Sequence, residues 1–257
     1  MDKKNIFTET PKIKYQEEAV TTDKEEFKKV VKSRRSVRVF TEDKVDHKEL
    51  MECLELSLLA PNSSNLQPWE FYWIQTKEKK DKVKEYCLNQ SAARTAQELI
   101  VCVARPDNWK KNNSLLQELY TKREKETPKI VESYYKRIVP LVYNQGPLGI
   151  FGFIKFLAIK VISLFRVIPR EPISNSDMRV WAHKTTALAC ENLMLAVRAY
   201  GYDSCPMEGM DSKKIKKLLS LPRKAEVCMV ISVGKRASNG VYDEQIRLES
   251  NNFIKII

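Results

Sequence analysis

Glycine is scarce in this chain, at seven in 257 residues. No Gly-x-Gly-x-x-Gly occurs, and no Gly-x-x-x-x-Gly-Lys followed by serine or threonine. Both motifs wrap backbone around a phosphate and need glycine to do so, which excludes a Rossmann-type site and a P-loop. Any phosphate must be held by side chains. Histidine is scarcer still: His47 and His183 are the whole supply. That leaves little for a histidine metal centre or a Ser-His-Asp triad. The six cysteines (Cys53, Cys87, Cys102, Cys190, Cys205 and Cys228) contain no Cys-x-x-Cys pair and sit mostly in apolar runs. They read as small core residues of a reducing, cytoplasmic compartment, neither a disulfide framework nor a zinc site. The opening residues Met1-Asp2-Lys3-Lys4-Asn5 are polar and carry no apolar leader, so secretion is not expected.

Acidic side chains are also in deficit, 33 against 45 basic ones, for a formal charge of +12. Such a balance attracts polyanions: nucleic acid, anionic lipid or phosphorylated small molecules. Nucleic acid is disfavoured, because no Cys/His finger spacing, RNP-like strand or compact helix-turn-helix signal accompanies the charge. Hydrophobic residues make up 43% of the chain, enough for a sizeable core at this length.

Residues 1–22 show no period and read as an N-terminal arm, and 23–257 as a single domain. Asp23 followed by Glu26 has the spacing of a capping box and predicts a helix start. A second helix is expected over 46–59, a charged one over 77–89 and a basic one over 211–219. Residues 177–200 are apolar on nearly every side and predict a helix buried all round, stopped by Gly201. Strands are expected over 69–75, 98–104 and 226–233, the second covered on both faces. The tail 241–257 has strand-like and mixed content. Helices and strands do not alternate regularly, so the class is α+β, with helices around one sheet.

Residues 106–175 differ in character and read as a helical insertion. Helical spacings run over 114–139, broken by Pro128. The apolar stretch 149–168 has spanning length, but Lys155, Lys160 and Arg166 interrupt it. Each would cost about 2.5–3.5 kcal/mol near a bilayer centre. Three readings stay open: a helix packed on the protein or a dimer partner, a helix lying in a membrane interface, and a span. Gly146, Gly149 and Gly152 are evenly spaced there, by chance or for close helix packing.

Two polar blocks carry chemistry. Arg34-Arg35-Ser36-Val37-Arg38 puts three guanidiniums and a hydroxyl within five residues. Guanidinium groups fork hydrogen bonds onto phosphate and repel one another unless an anion sits among them. Ala60-Pro61-Asn62-Ser63-Ser64-Asn65-Leu66-Gln67-Pro68-Trp69 is rich in amides and hydroxyls and suits a planar or polyol ligand. Together they indicate a phosphorylated cofactor.

These two blocks, with Gly201-Tyr202-Asp203-Ser204-Cys205-Pro206-Met207-Glu208-Gly209 and Gly234 preceding Arg247, resemble four blocks of the FMN-dependent nitroreductase family. Among its branches the chain looks closest to the one containing iodotyrosine deiodinase. That branch's halotyrosine-clamping lid has no match in 106–175. The resemblance implies a nitroreductase-like fold, a central, mainly antiparallel sheet among helices. It implies FMN as cofactor, with NADH or NADPH as electron donor in a ping-pong hydride transfer through flavin N5. The acceptor would be small and electrophilic: a nitroaromatic, a quinone or similar. The same resemblance assigns Arg34, Arg35, Ser36 and Arg38 to the FMN phosphate and ribityl end. It puts Pro61, Asn62 and Ser63 at the isoalloxazine edge of a homodimer partner; Asn65 either joins them or, with Gln67, caps and braces that loop. Backbone groups of Pro206, Met207, Glu208 and Gly209 would face flavin N5 and O4. Arg247 is the implied second phosphate contact, with Lys235 and Arg236 as rivals; Gln90 and Arg94 are weaker candidates. No side chain need act as acid or base. The alternative is a membrane-surface flavoprotein or non-enzymatic interaction protein using 149–168.

Overall fold

The run expected to be covered on both faces, β2 (Glu98–Ala104), is buried at every position. In the computed structural model, which describes residues 16–257, it is an inner strand of a four-stranded sheet. The others are β1 (Trp69–Ile74), β3 (Asp203–Met207) and β4 (Glu226–Gly234), in the order β1-β2-β4-β3. Every pair is antiparallel, and a lone parallel bridge joins Ser36 to Ser204. The expected α+β architecture is borne out. Most of the arm expected over 1–22 lies outside the described residues.

Alternation along β2 sends Leu99, Val101 and Val103 to one face and Ile100 and Cys102 to the other. The first face packs on Val83, Cys87, Ala92, Ala93 and Ile215, from α3 (Lys77–Tyr86), the start of α4 (Ser91–Thr95) and a short basic helix, α10 (Ser212–Leu218). The second face takes α2 (His47–Ser57) and α9 (Asn175–Ala199) through Leu50, Cys53, Cys190, Leu193 and Val197. Burying each large aliphatic side chain contributes about 1.5–3 kcal/mol. All six cysteines are free, five of them buried.

Several boundaries differ from expectation for local reasons. Asp23 caps α1 (Lys24–Ser33) through the amides of Glu25 and Glu26, but Glu26 pairs with Lys29 instead of closing a box. The reciprocal box forms at Ser174 and Asp177 and starts α9 earlier than its apolar pattern suggests. Nor is α9 buried all round: Val180 is 62% and Leu188 46% exposed, on one face. Within the block 201–209, which resembles a turn of the nitroreductase family, residues 203–207 form an edge strand, where Pro206 is tolerated because an edge residue need not donate to a ladder. The tail 241–257 forms no strand, only a short turn at Ser250–Asn252.

Between β2 and α9 the chain runs through α5 (Trp109–Lys122), α6 (Lys129–Ser133), a π-helical turn (Tyr134–Ile138), α7 (Val139–Tyr143) and α8 (Ile150–Ile162). Trp109, Leu116, Tyr135, Val139 and Tyr143 pack with Met178, Trp181 and Ala182 of α9. The helix expected over 149–168 spans only 13 residues, and no single helix among the described residues is long and apolar enough to cross a membrane. Gly152 is its one buried residue. A Cβ there would lie 2.2 Å from the Ile173 carbonyl oxygen, so the even glycine spacing reflects close packing at this position.

At the start of β4, Glu226 Oε2 meets His183 Nε2 at 3.0 Å and also receives Arg179. Hydrogen bonds with Cys228 and Glu226 raise the His183 pKa above 6.5, outweighing burial. A raised folded-state pKa adds stability below the unfolded value of about 6.5, and that contribution is lost as pH rises through the folded value. The stability deficit of His183→Gln in urea denaturation is therefore expected to be largest at acidic pH and to shrink as pH rises. A deficit constant with pH would contradict this coupling.

Candidate functional site

Arg34 leaves α1 with extended backbone, and the next residues lie along the free edge of β3. Val37 N donates to the Ser204 carbonyl at 3.1 Å, and the Val37 side chain is fully buried. Arg38 N donates to Gly240 O at 2.6 Å. A Cβ on Gly240 would sit 2.6 Å from Val39 O, so this close pass requires glycine. Backbone pairing and one buried valine thus fix the arginine block.

Arg34 and Arg38 of this block bear on the Cys205 thiol, while Arg35 turns to the tail. Arg38 Nη1 meets Cys205 Sγ at 3.4 Å, and Arg35 Nη2 donates to the Asp243 carbonyl. None of Arg34, Arg35 and Arg38 has a carboxylate partner among the described residues. Burial pushes the Cys205 thiol pKa up, while Arg38 and then Arg34 pull against it, so both charges act at this one atom. On the opposite face of the strand from Cys205, Ser204 Oγ is buried with no hydrogen-bond partner. Cations without carboxylate partners suit a phosphate monoester, whose oxygens accept from them.

Asp203, the first residue of β3, is 4% exposed and holds two more arginines. Arg198 Nη1 lies 2.9 Å from Oδ2, and Arg236 pairs with Oδ1. Arg236 Nη2 also donates to Ser33 O at 3.2 Å, at the end of α1. Arg236 is therefore committed to the scaffold. Of its rivals, Lys235 is exposed, and its carbonyl accepts from Thr41 N. Arg247 bonds only the neighbouring Ile246 carbonyl; the fold does not draw it into the cluster.

Pro206 and Met207 end β3, while Glu208 and Gly209 lie exposed past its last paired residue. Gln90 Nε2 donates to Gly209 O at 2.8 Å, so this candidate does stand beside the turn. Arg94 lies at the exposed end of α4 with no ion-pair partner among the described residues.

The amide and hydroxyl block is elsewhere. It enters β1 at Trp69, which is aligned through Ala104 with Glu226 at one end of the sheet. Ser204 aligns with Val233 at the other end, on the opposite edge. The two blocks occupy diagonal corners, separated by three strand spacings of about 4.8 Å and most of a strand length. Asn62 Oδ1 accepts from Gln67 N at 2.8 Å, closing the loop on itself. The Asn65 side chain meets those of Asn62 and Gln67, and Ser64 and Asn65 adopt positive φ. Two tyrosines that sequence reasoning did not single out steady the loop. Tyr143 Oη lies 2.8 Å from Ser63 Oγ and 3.0 Å from Ser64 Oγ, and Tyr134 Oη lies 2.6 Å from Ser64 Oγ. Tyr134 falls within the helical spacing over 114–139; Tyr143 lies beyond it and carries no such signal. A cavity of about 480 Å³ adjoins the loop, bounded by Pro61, Asn62, Ser63, Tyr143, Trp181 and Lys184. That volume suits a small planar molecule.

Burial pushes the Tyr143 phenol up, partly offset by Ser63 and Ser64, so it stays protonated through neutral pH. Tyr143→Phe should cost about 0.5–1.5 kcal/mol per lost hydrogen bond in denaturant unfolding. An unchanged midpoint would show that the loop does not depend on this hydroxyl.

Comparison with known proteins fits this geometry. A sequence profile described as the Nitroreductase family matches residues 31–235. The protein DrgA of Synechocystis is 27% identical over 207 residues, covering 80% of this chain and 82% of that one. YdgI of Bacillus subtilis, described as an NAD(P)H nitroreductase, is 26% identical over 228 residues, covering 88% and 95%. A protein of Exiguobacterium sibiricum described as a nitroreductase, solved with FMN, superposes with a TM-score of 0.62 at 24% identity. It covers 93% of this chain and 99% of its own. With the profile matched over most of its length, this chain belongs to the nitroreductase family and is an oxidoreductase of that flavin- and NAD(P)H-dependent class.

Proposed function

We propose that the protein is a homodimeric FMN-dependent NAD(P)H oxidoreductase that reduces a small electrophilic acceptor, such as a nitroaromatic or quinone, in two half-reactions. The observation carrying this reading is the block of Arg34, Arg35 and Arg38, free of carboxylate partners among the described residues and held along the free edge of β3. When bound, FMN supplies the hydride relay, accepting at N5 from NADH or NADPH and passing the hydride to the acceptor. The chain's own residues bind and orient. Arg34, Arg35, Ser36 and Arg38 hold the phosphate and ribityl end, and Arg247, exposed on the tail and outside that block in the protomer, adds its contact only once the phosphate is bound. The amides of Glu208 and Gly209 supply fixed dipoles at the flavin edge, where reduction gathers negative charge. The single-domain reading of 23–257 belongs to the same proposal.

The diagonal separation of the two blocks supports a dimeric site. One protomer presents the arginines, and Pro61, Asn62, Ser63 and Asn65 come from its partner, with the cavity beside Tyr143 and Trp181 receiving the acceptor. The exposed Val180 and Leu188 on α9 supply apolar surface for that contact.

The freshly purified protein is expected to be yellow, with flavin absorbance bleached by NADH or NADPH. Arg38→Ala should weaken FMN binding by about 1.5–3 kcal/mol, the worth of a charged hydrogen bond. Unchanged affinity would remove the phosphate assignment. Leu188→Arg should shift sedimentation toward the monomer and release the flavin with it; a monomer that retains FMN would overturn the shared site.

A further inference from the structure

The helix α8 is apolar almost all round, yet only Gly152 is buried. It is fixed near its start: Gly152 N donates to Gln145 O at 3.1 Å, and the Lys155 ammonium donates to the carbonyls of Val142 at 2.7 Å and Pro172 at 3.2 Å. At about 100° per residue, Ile150, Phe153, Ile154, Leu157 and Val161 fall within one arc roughly 100° wide. Each is between 49% and 60% exposed. Leu164, Phe165 and Val167 extend the surface past the helix end, at 77%, 82% and 106% exposed. Such a contiguous apolar face is unusual on a free surface.

Its charge selects what covers it. From residue 133 to 170 there is no Asp or Glu, against six cations: Lys136, Arg137, Lys155, Lys160, Arg166 and Arg170. Lys160 stands over the Phe156 ring at 4.7 Å, at the edge of the apolar arc. Arg166 and Arg170 are exposed, and no hydrogen bond or ion pair engages their side chains among the described residues. An isologous contact through this face would bring two such cationic rims together without an acid to offset them. A transbilayer role fails on length: α7 and α8 would have to join in one span, but they belong to arms bent by 70°. Tyr135, Val139 and Tyr143 of the first arm are core residues.

We propose that the α8 face is a docking surface for an anionic lipid bilayer. The apolar arc enters the headgroup–acyl boundary while Lys160, Arg166 and Arg170 stay among the phosphates. The other end of the same insertion, Tyr143, borders the cavity beside Pro61–Ser63. Docking therefore brings that cavity near the membrane surface, where lipophilic acceptors concentrate.

The test is co-sedimentation of the full-length protein with vesicles of phosphatidylcholine, with and without phosphatidylglycerol. The read-out is protein in the pellet, so it is independent of flavin loading and of turnover. Pelleting is expected with the anionic vesicles, weakened by salt, and little with phosphatidylcholine alone. Arg166→Ala and Arg170→Ala should each loosen binding by about fivefold, the factor for one basic residue near an anionic surface. The pair Leu157→Asp and Phe165→Asp, at exposed positions, should loosen it by on the order of tenfold or more. Circular dichroism checks that this variant is folded. No pelleting with anionic vesicles would overturn the proposal. So would binding indifferent to the aspartate pair, which would leave only generic basicity. A change of sedimentation coefficient in that variant without lipid would also overturn it, because the face would then be a contact between copies.

Discussion

The buried carboxylate of Asp203 is the constraint on which the site depends. It takes Arg198 from the end of α9 and Arg236 from just past β4, and Arg236 reaches on to the last carbonyl of α1. One anion thereby ties three elements to the first residue of the edge strand. Removing either partner alone would leave buried charge imperfectly compensated, which is costly in a low-dielectric interior. The arginine block begins one residue after the carbonyl so held. Its position along β3 follows from this clamp and from the bridge between Ser36 and Ser204.

Two kinds of arginine therefore stand side by side with different work. Arg198 and Arg236 share the Asp203 carboxylate and belong to the scaffold. Arg34, Arg35 and Arg38 receive only carbonyl and thiol partners. Mutual repulsion among the second group is a cost of folding that the proposed phosphate would offset. At the other corner of the sheet, the polar loop is arranged by its own amide network and by tyrosines from the following helices. In the proposed dimer, each protomer would supply one half of the site.

Legibility in the sequence divided along the same line. Local density of one chemistry exposed the arginine block and the 60–69 block, and the apolar runs gave β2, β4 and the core of α9. What escaped was non-local. The pairing of Arg236 with Asp203 spans thirty-three residues, and no spacing rule signals it, so Arg236 read as a phosphate rival. Tyr134 and Tyr143 reach the serine loop across 70 and 80 residues. Strand β3 is not expected from the sequence, because the block 201–209 reads through its resemblance to a family turn, and Pro206 is admitted to a strand only by its edge position. The 149–168 stretch read as longer than it is, because hydropathy does not register that the chain turns after Ile162.

The edge at β3 has one more effect. Proline at position 206 offers no amide hydrogen, and upstream of it the Ser204 carbonyl is already taken by the passing chain at Val37. An incoming peptide would find neither a complete row of donors nor a free acceptor along that border. The sheet therefore cannot grow by strand addition on that side, and the protein can keep a cationic, ligand-ready margin there without inviting fibrous self-association.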